Sequence, residues 1–281
     1  MSAQHPDPYR DVDAQPDPAQ LVAALEARGR TRAHAQLLRR FLAWSGVGPG
    51  QTVLEVGCGT GVVLRELVTR VGPRGRVVGV DPSRALLGAA TRLLAEPRRR
   101  RRLTLRVADG ARLPFPDARF DVAMAVTVLL HVPDPLVVVK EMTRVTRPGG
   151  QVAVQDQDFG TLALSHPDRP LSERILAGVA ARVYDEPWSG RRLPGLLRAA
   201  GLERVRLRTD VYQDTTLEPY TKTFLERRAE NAVRFGIVDA PTAQRWLDAV
   251  TALVATGAFV LTLNFYGAIG LKPEARAGRR R

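Results

Sequence analysis

Residues 53–61 read VLEVGCGTG. Val53, Leu54 and Val56 are aliphatic and suit a buried strand. Gly57, Gly59 and Gly61 then remove alternate side chains where the chain must turn, and from Val62 the apolar residues of VVLRELVTRV return at helical spacing. The stretch predicts a strand, a tight glycine turn and a helix N-terminus. Backbone amides and the helix dipole can approach a ligand closely in that arrangement. Glycine turns also serve simply to fold a strand onto a helix, so the ligand has to be identified from the rest of the chain.

Outward from this point the pattern is regular. RVVGVD (76–81) is a second strand ending in Asp81, and PSRALLGAATRLLAE (82–96) a helix opened by Pro82 and Ser83. LTLRVAD (103–109) alternates and ends in Asp109. FDVAMAVTVLL (120–130) is too uniformly apolar for a surface strand and suits the middle of a parallel sheet. PLVVVKEMTRVT (135–146) is an amphipathic helix stopped by RPGG, and QVAVQDQD (151–158) is a fifth strand. Strands alternating with helices predict a doubly wound α/β sheet. Residues 159–192 lose this rhythm and are expected to cap the carboxyl edge of the sheet. A helix and a strand follow, then two amphipathic helices within 217–256 broken at GIVDAP, and the alternating AFVLTLNFYGAIGLK (258–272) as a last strand. The expected organisation is an N-terminal extension (1–30), a core (31–158), the cap (159–192), the end of the core with its helical insertion (193–271), and a basic tail (272–281).

The 281 residues are enough to bury a sizeable core, and 44% hydrophobic with 25% charged residues fits an ordinary globular protein. No apolar stretch reaches membrane-spanning length, and residues 1–20 are acidic and Pro-rich without a signal's apolar segment, so a cytoplasmic protein is expected. Cys58 is the single cysteine, which excludes an internal disulfide and a cysteine-built metal site. The formal charge of +13 comes almost wholly from arginine, with runs at Arg98–Arg102 and Arg279–Arg281. Such runs can bind phosphate backbones. No aromatic residue interleaves with Arg98–Arg102 to stack a base, so the runs are read as a solvated loop and tail.

In open parallel sheets ligands bind beyond the carboxyl ends of the strands. Those ends carry glycines after the first strand, Asp81 after the second and ADGARLPF (108–115) after the third. A carboxylate at the second position can accept hydrogen bonds from two ribose hydroxyls, and Asp109 with a neighbouring amide can read an adenine edge. Either aspartate alone would fit a helix cap or turn. A dinucleotide site would want G-x-G-x-x-G, and no glycine follows Gly59 at that spacing.

VLEVGCGTG, VVGVDPS, VADGARLPFPDARFDVAMAVTVLLHVPDP and EMTRVTRPGGQVAV resemble the successive motifs of class I S-adenosylmethionine-dependent methyltransferases. Within these the chain is most similar to the small-molecule branch of ubiquinone/menaquinone methyltransferase-like enzymes. The resemblance covers roughly residues 40–156, and it implies a seven-stranded, mostly parallel sheet whose last strand is antiparallel. It also implies S-adenosyl-L-methionine as cofactor. Glu55 would orient the methionine amino group, and Gly57, Gly59 and Gly61 would line the methionine and ribose. Asp81 would hold the ribose hydroxyls, Asp109 with Gly110 or Ala111 the adenine, and Val126 and Thr127 the cofactor beside the fourth strand.

Methyl transfer requires alignment of acceptor and methyl and exclusion of water, with a general base when the acceptor is a phenol, an alcohol or a carbon acid. His131, just past the fourth strand, is the leading candidate base, and Asp156 or Asp158 at the end of the fifth would bind or deprotonate the acceptor. His166 and Tyr184 in the cap are further candidates read chiefly as structural. Two carboxylates in DQD offer too few oxygens for a divalent ion, so no metal is expected. The expected partner is a small-molecule acceptor, a quinone, phenol or specialised metabolite, met by a monomer or homodimer. Competing readings are an RNA methyltransferase, against which no N-P-P-Y loop, second cysteine or RNA-binding module is present, and a protein that binds the cofactor without transferring methyl.

Overall fold

A computed structural model describes residues 7–96 and 102–274. Residues 98–101 of the expected run Arg98–Arg102, and the whole run Arg279–Arg281, lie outside the described residues. Arg102 donates from Nη1 to the Val68 carbonyl at 3.0 Å.

Seven strands form one sheet: β1 (Thr52–Val56), β2 (Arg76–Asp81), β3 (Leu103–Val107), β4 (Phe120–Val126), β5 (Thr146–Leu164), β6 (Glu203–Asp214) and β7 (Leu261–Leu271), in the order β3-β2-β1-β4-β5-β7-β6. The first five pair in parallel, and β7 runs antiparallel between β5 and β6. The order reverses at β1, so the carboxyl ends of β1 and β4 open onto the crevice where such sheets bind ligands. The mostly parallel sheet with an antiparallel last strand is the architecture expected from the sequence.

The helices are α1 (Pro18–Arg30), α2 (Arg32–Ser45), α3 (Val62–Val71), α4 (Arg84–Leu93), α5 (Pro135–Val145), α6 (Arg169–Val183), α7 (Ser189–Ala199), α8 (Pro219–Arg234) and α9 (Ala240–Ala255). Helices α2, α3 and α4 pack on one face of the sheet around Phe41, Leu64, Leu67 and Met124, and α5 and α7 pack on the other around Phe120, Val139, Met142 and Leu193. Burial of these aliphatic and aromatic side chains is the principal stabilising term. A third cluster joins α6, α8 and α9 to the long ends of β5 and β7 around Phe159, Ile175, Trp246 and Phe265. Among the described residues no helix is long and apolar enough to cross a membrane.

Three expectations change. The apolar run 120–130 divides at Thr127, which adopts a left-handed φ of 54° and ends β4, so that Leu129–His131 form a 3-10 turn. Strand β5 continues past Asp158 to Leu164, where Ala163 and Leu164 pair with Thr262 and Leu261 of the equally extended β7. The cap therefore does not begin at 159. It is built jointly by α6, α8 and α9, from both the 159–192 and the 217–256 stretches, with residues 7–30 closing its remaining side. Nor is that N-terminal stretch a mere extension: Asp13 accepts from Ser83 Oγ at 2.6 Å and from the N–H groups of Arg84 and Ala85, tying the segment to the start of α4.

Candidate functional site

The turn from β1 to α3 shapes the first half of the site. Gly57, Gly59 and Gly61 have φ of 68°, 52° and 84°, a region L side chains rarely adopt. A Cβ on Gly57 would lie 2.5 Å from Val128, and one on Gly61 2.6 Å from Leu94. The turn borders a cavity of about 430 Å³ whose walls include Glu55, Gly57, Gly59, Asp81, Asp109, Gly110, Val126 and Thr127. Gly61 and Ala111 are not among its walls. Gly61 caps α3 and leaves room for Leu94, whereas Ala111 donates its N–H to Asp109 Oδ1 at 2.8 Å.

Charge inside this cavity is poised for a cation. Glu55 is 1% exposed, and among the described residues its Oε2 has no hydrogen-bond partner. Burial, with the Asp81 charge nearby, pushes its carboxyl well above the usual carboxylate range. Asp81 accepts from the Gly59 N–H at 2.8 Å and the Ser83 N–H at 2.9 Å, and burial raises its pKa as well. An orphaned buried carboxylate oxygen, a glycine cradle and a second acid beside it fit a ligand carrying an ammonium group and a ribose.

A second cavity of about 490 Å³ lies beneath α1, α6 and α8 and shares Tyr9, Arg28, His34 and His131 with the first. His131 Nδ1 lies 2.6 Å from Asp7 Oδ2, and Asp7 is 1% exposed. A carboxylate only accepts, so the neutral imidazole carries its proton on Nδ1 and keeps a lone pair on Nε2, an assignment made from the bonding pattern. The ring sits between Tyr9 and Tyr184, with centroids at 5.2 and 5.7 Å. Its turn is held from below by Asp156, which accepts from the Leu130 N–H at 3.0 Å and from Ser189 Oγ at 2.9 Å. Burial pushes the Asp156 carboxyl up to about 6, opposed by His131 and by these hydrogen bonds.

The other candidates fall elsewhere. Asp158 is 0% exposed, belongs to the wall of neither cavity, and forms a two-point ion pair with Arg191 of α7. The continuation of β5 places it inside a strand rather than at the strand's end, with its carboxylate engaged by Arg191. His166 lies outside both cavities, with Nδ1 2.9 Å from the Asp168 carbonyl and its ring over Trp246. Tyr184 lines the second cavity, stacked on Phe159 with centroids 4.6 Å apart.

Among the cavity residues that the sequence reading missed are Asp7, Tyr9, Arg28, His34 and Arg228. Asp7 and Tyr9 sit in a Pro-flanked stretch without periodicity. Arg28 and His34, flanking the α1–α2 junction, could have been flagged only by first reading α1 as a helix, and Arg228 is one arginine among many. Arg28 donates to Thr127 Oγ1 at 3.2 Å. At His34 the hydroxyl of Thr31 donates to the Arg28 carbonyl, so its oxygen accepts from His34 Nδ1–H at 2.8 Å and leaves His34 Nε2 unprotonated. Burial holds the pKa of His34 well below its ordinary value, and the Arg28 charge adds to this.

Residues 54–154 match the family described as Methyltransferase domain. A demethylmenaquinone methyltransferase of Anoxybacillus flavithermus is 31% identical over 198 residues, covering 65% of this chain and 81% of that protein. A 2-phytyl-1,4-naphtoquinone methyltransferase of Synechococcus elongatus is 37% identical over 128 residues, 44% of this chain and 53% of that protein. The solved structure of the YcgJ protein from Bacillus subtilis aligns with 86% of this chain and 100% of its own at a TM-score of 0.60 and 16% identity, a likeness of fold. The chain spans about half the length of several curated relatives it matches. With the motifs in order along one sheet edge and a relative matched over most of its length, the chain belongs to the class I S-adenosylmethionine-dependent methyltransferases.

Proposed function

We propose that the protein transfers a methyl group from S-adenosyl-L-methionine to a small-molecule acceptor. One observation carries the reading: a cavity that holds the buried acids Glu55 and Asp81 meets an aromatic cavity at His131, whose Nε2 lone pair is available there. The cofactor, when bound, supplies a methyl carbon already activated by a sulfonium. Glu55 would take its amino group, Arg28 its carboxylate, Asp81 the ribose hydroxyls, and Asp109 with Gly110 the adenine. His131 removes the acceptor's proton at Nε2, and Asp7 holds the ring in that tautomer and stabilises the imidazolium that forms. Tyr9 and α1 cover the junction of the two cavities and exclude water.

The names of the matched relatives make a reduced naphthoquinone the first acceptor to try. Tritium from methyl-labelled cofactor, followed into a reduced naphthoquinone, a metabolite extract and total RNA, tests the proposal. Label in small molecules is the expected result. Label confined to RNA would establish nucleic-acid methylation instead, and cofactor binding with no transfer to any fraction would leave a binding protein.

A further inference from the structure

Arg228 is 3% exposed in the middle of α8 and lines the second cavity. Its guanidinium lies 4.6 Å from the Phe159 ring centroid, 4.7 Å from Phe224 and 5.4 Å from Tyr184. Ring faces attract a cation but satisfy none of its N–H donors. Among the described residues its side chain makes one hydrogen bond, to the Tyr184 hydroxyl at 3.5 Å, and no ion pair. Buried charges are ordinarily paired, because an unpaired one gives up its hydration without return. Arg28 and Arg227 line the same cavity, likewise without a carboxylate in ion-pair range among the described residues. The one acidic side chain among the described walls, Asp7, is bonded to His131 and to the Tyr9 N–H. Among the described residues the cavity thus offers a cationic fork inside an aromatic wall, with no carboxylate in ion-pair range of Arg228.

We infer that the acceptor is an aromatic acid whose carboxylate is held by Arg228 while its reacting atom lies at His131. Planar guanidinium matches carboxylate in a two-point geometry that the ring stack around Arg228 fixes in place. Tyr184 links the two ends, since its hydroxyl meets Arg228 and its ring packs on His131. The acid therefore sits across the acceptor from the atom that takes the methyl. This inference rests on the proposed methyl transfer for its choice of which cavity holds the acceptor.

The test measures binding of 1-naphthoate and of 1-naphthamide, a neutral match in shape, by calorimetry on the whole chain saturated with S-adenosylhomocysteine. Naphthoate is expected to bind at least ~10-fold more tightly than the amide. Arg228→Gln is expected to abolish that preference and Arg228→Lys to retain part of it, with S-adenosylhomocysteine affinity unchanged in both. Equal affinity for acid and amide in the wild type, no measurable naphthoate binding, or naphthoate binding unaltered in Arg228→Gln would overturn the inference. The wild-type comparison stands without any variant, should a substitution in α8 prevent folding. Failure of the wild type to bind S-adenosylhomocysteine would overturn the methyltransferase proposal instead, and the acid-to-amide comparison would then be made on the unliganded chain.

Discussion

Two histidines border both cavities, and their hydrogen bonds give them different chemistry. His131 donates from Nδ1 to the Asp7 carboxylate and keeps its Nε2 lone pair, whereas burial beside Arg28 disfavours a charge on His34. With His131 as the base, the chemical step needs its Nε2 lone pair, so the saturating rate should fall on acidification. His131→Ala should lower that rate by ~10²-fold with cofactor affinity nearly intact. Asp7→Asn should reproduce part of the loss through the wrong tautomer. A rate that holds flat into acid and collapses in His34→Ala would transfer the role to His34. On the cofactor side, the ribose role proposed for Asp81 means that Asp81→Ala should weaken binding by about 2 kcal/mol, through two lost charge-assisted hydrogen bonds. Wild-type affinity in a folded Asp81→Ala chain, measured by calorimetry, would remove the ribose assignment. Affinity should also decline on acidification through the raised Glu55 pKa, because an ammonium group needs the carboxylate ionised; Glu55→Gln should bind weakly at every pH.

At the scale of elements, the N-terminal segment is bound to the core by the end of a helix. The first N–H groups of α4 have no partner within the helix, and Asp13 accepts from two of them as well as from the capping hydroxyl of Ser83. Asp13→Ala should cost roughly 1–2 kcal/mol in denaturant unfolding, and should also loosen residues 7–30 over the cavities. Hydrogen exchange in α1 is the direct readout. Protection there equal to the wild type's would show that Val12, Leu21 and Leu86 hold the segment without the aspartate. The 3-10 turn at Leu129–His131 depends likewise on a neighbouring element, because Asp156 of β5 receives the Leu130 N–H.

Over the whole molecule, buried acids set how stability responds to pH. Asp156 titrates near 6 in the folded chain and near ~3.9 unfolded, so between these values the folded state holds the extra proton. Stability contributed by this group is complete below ~4 and is lost as pH rises through about 6, by an amount on the order of 3 kcal/mol. Glu55 and Asp81, raised for the same reason, act in the same direction, while Asp13, Glu26 and Glu141, held low by their partners, act oppositely. The contribution of Asp156 is therefore isolated as the difference between wild type and Asp156→Asn. Urea denaturation at pH 4 and pH 8 should show the wild type losing stability relative to the variant as pH rises. Parallel pH curves for the two proteins would refute the assignment.

The sequence by itself determined what depends on neighbours a few residues apart. Strand and helix periods, the glycine turn at 57–61, and the acids ending β1 and β2 were legible because each is written locally in apolar spacing and turn chemistry. What depends on distant pairing was decided only by the tertiary structure. Asp158 reads as a strand end until β7 arrives from more than a hundred residues away to extend β5 past it. Asp7 and His131 stand 124 positions apart, so no local pattern announces their bond. Arg228 looks like any solvent-facing arginine of an amphipathic helix, and becomes a buried cation only where α8 packs Phe224 beside Phe159 and Tyr184. Hydrophobic period fixes which faces are buried, but the partner that each buried polar group meets is set by chain crossings that this period does not encode.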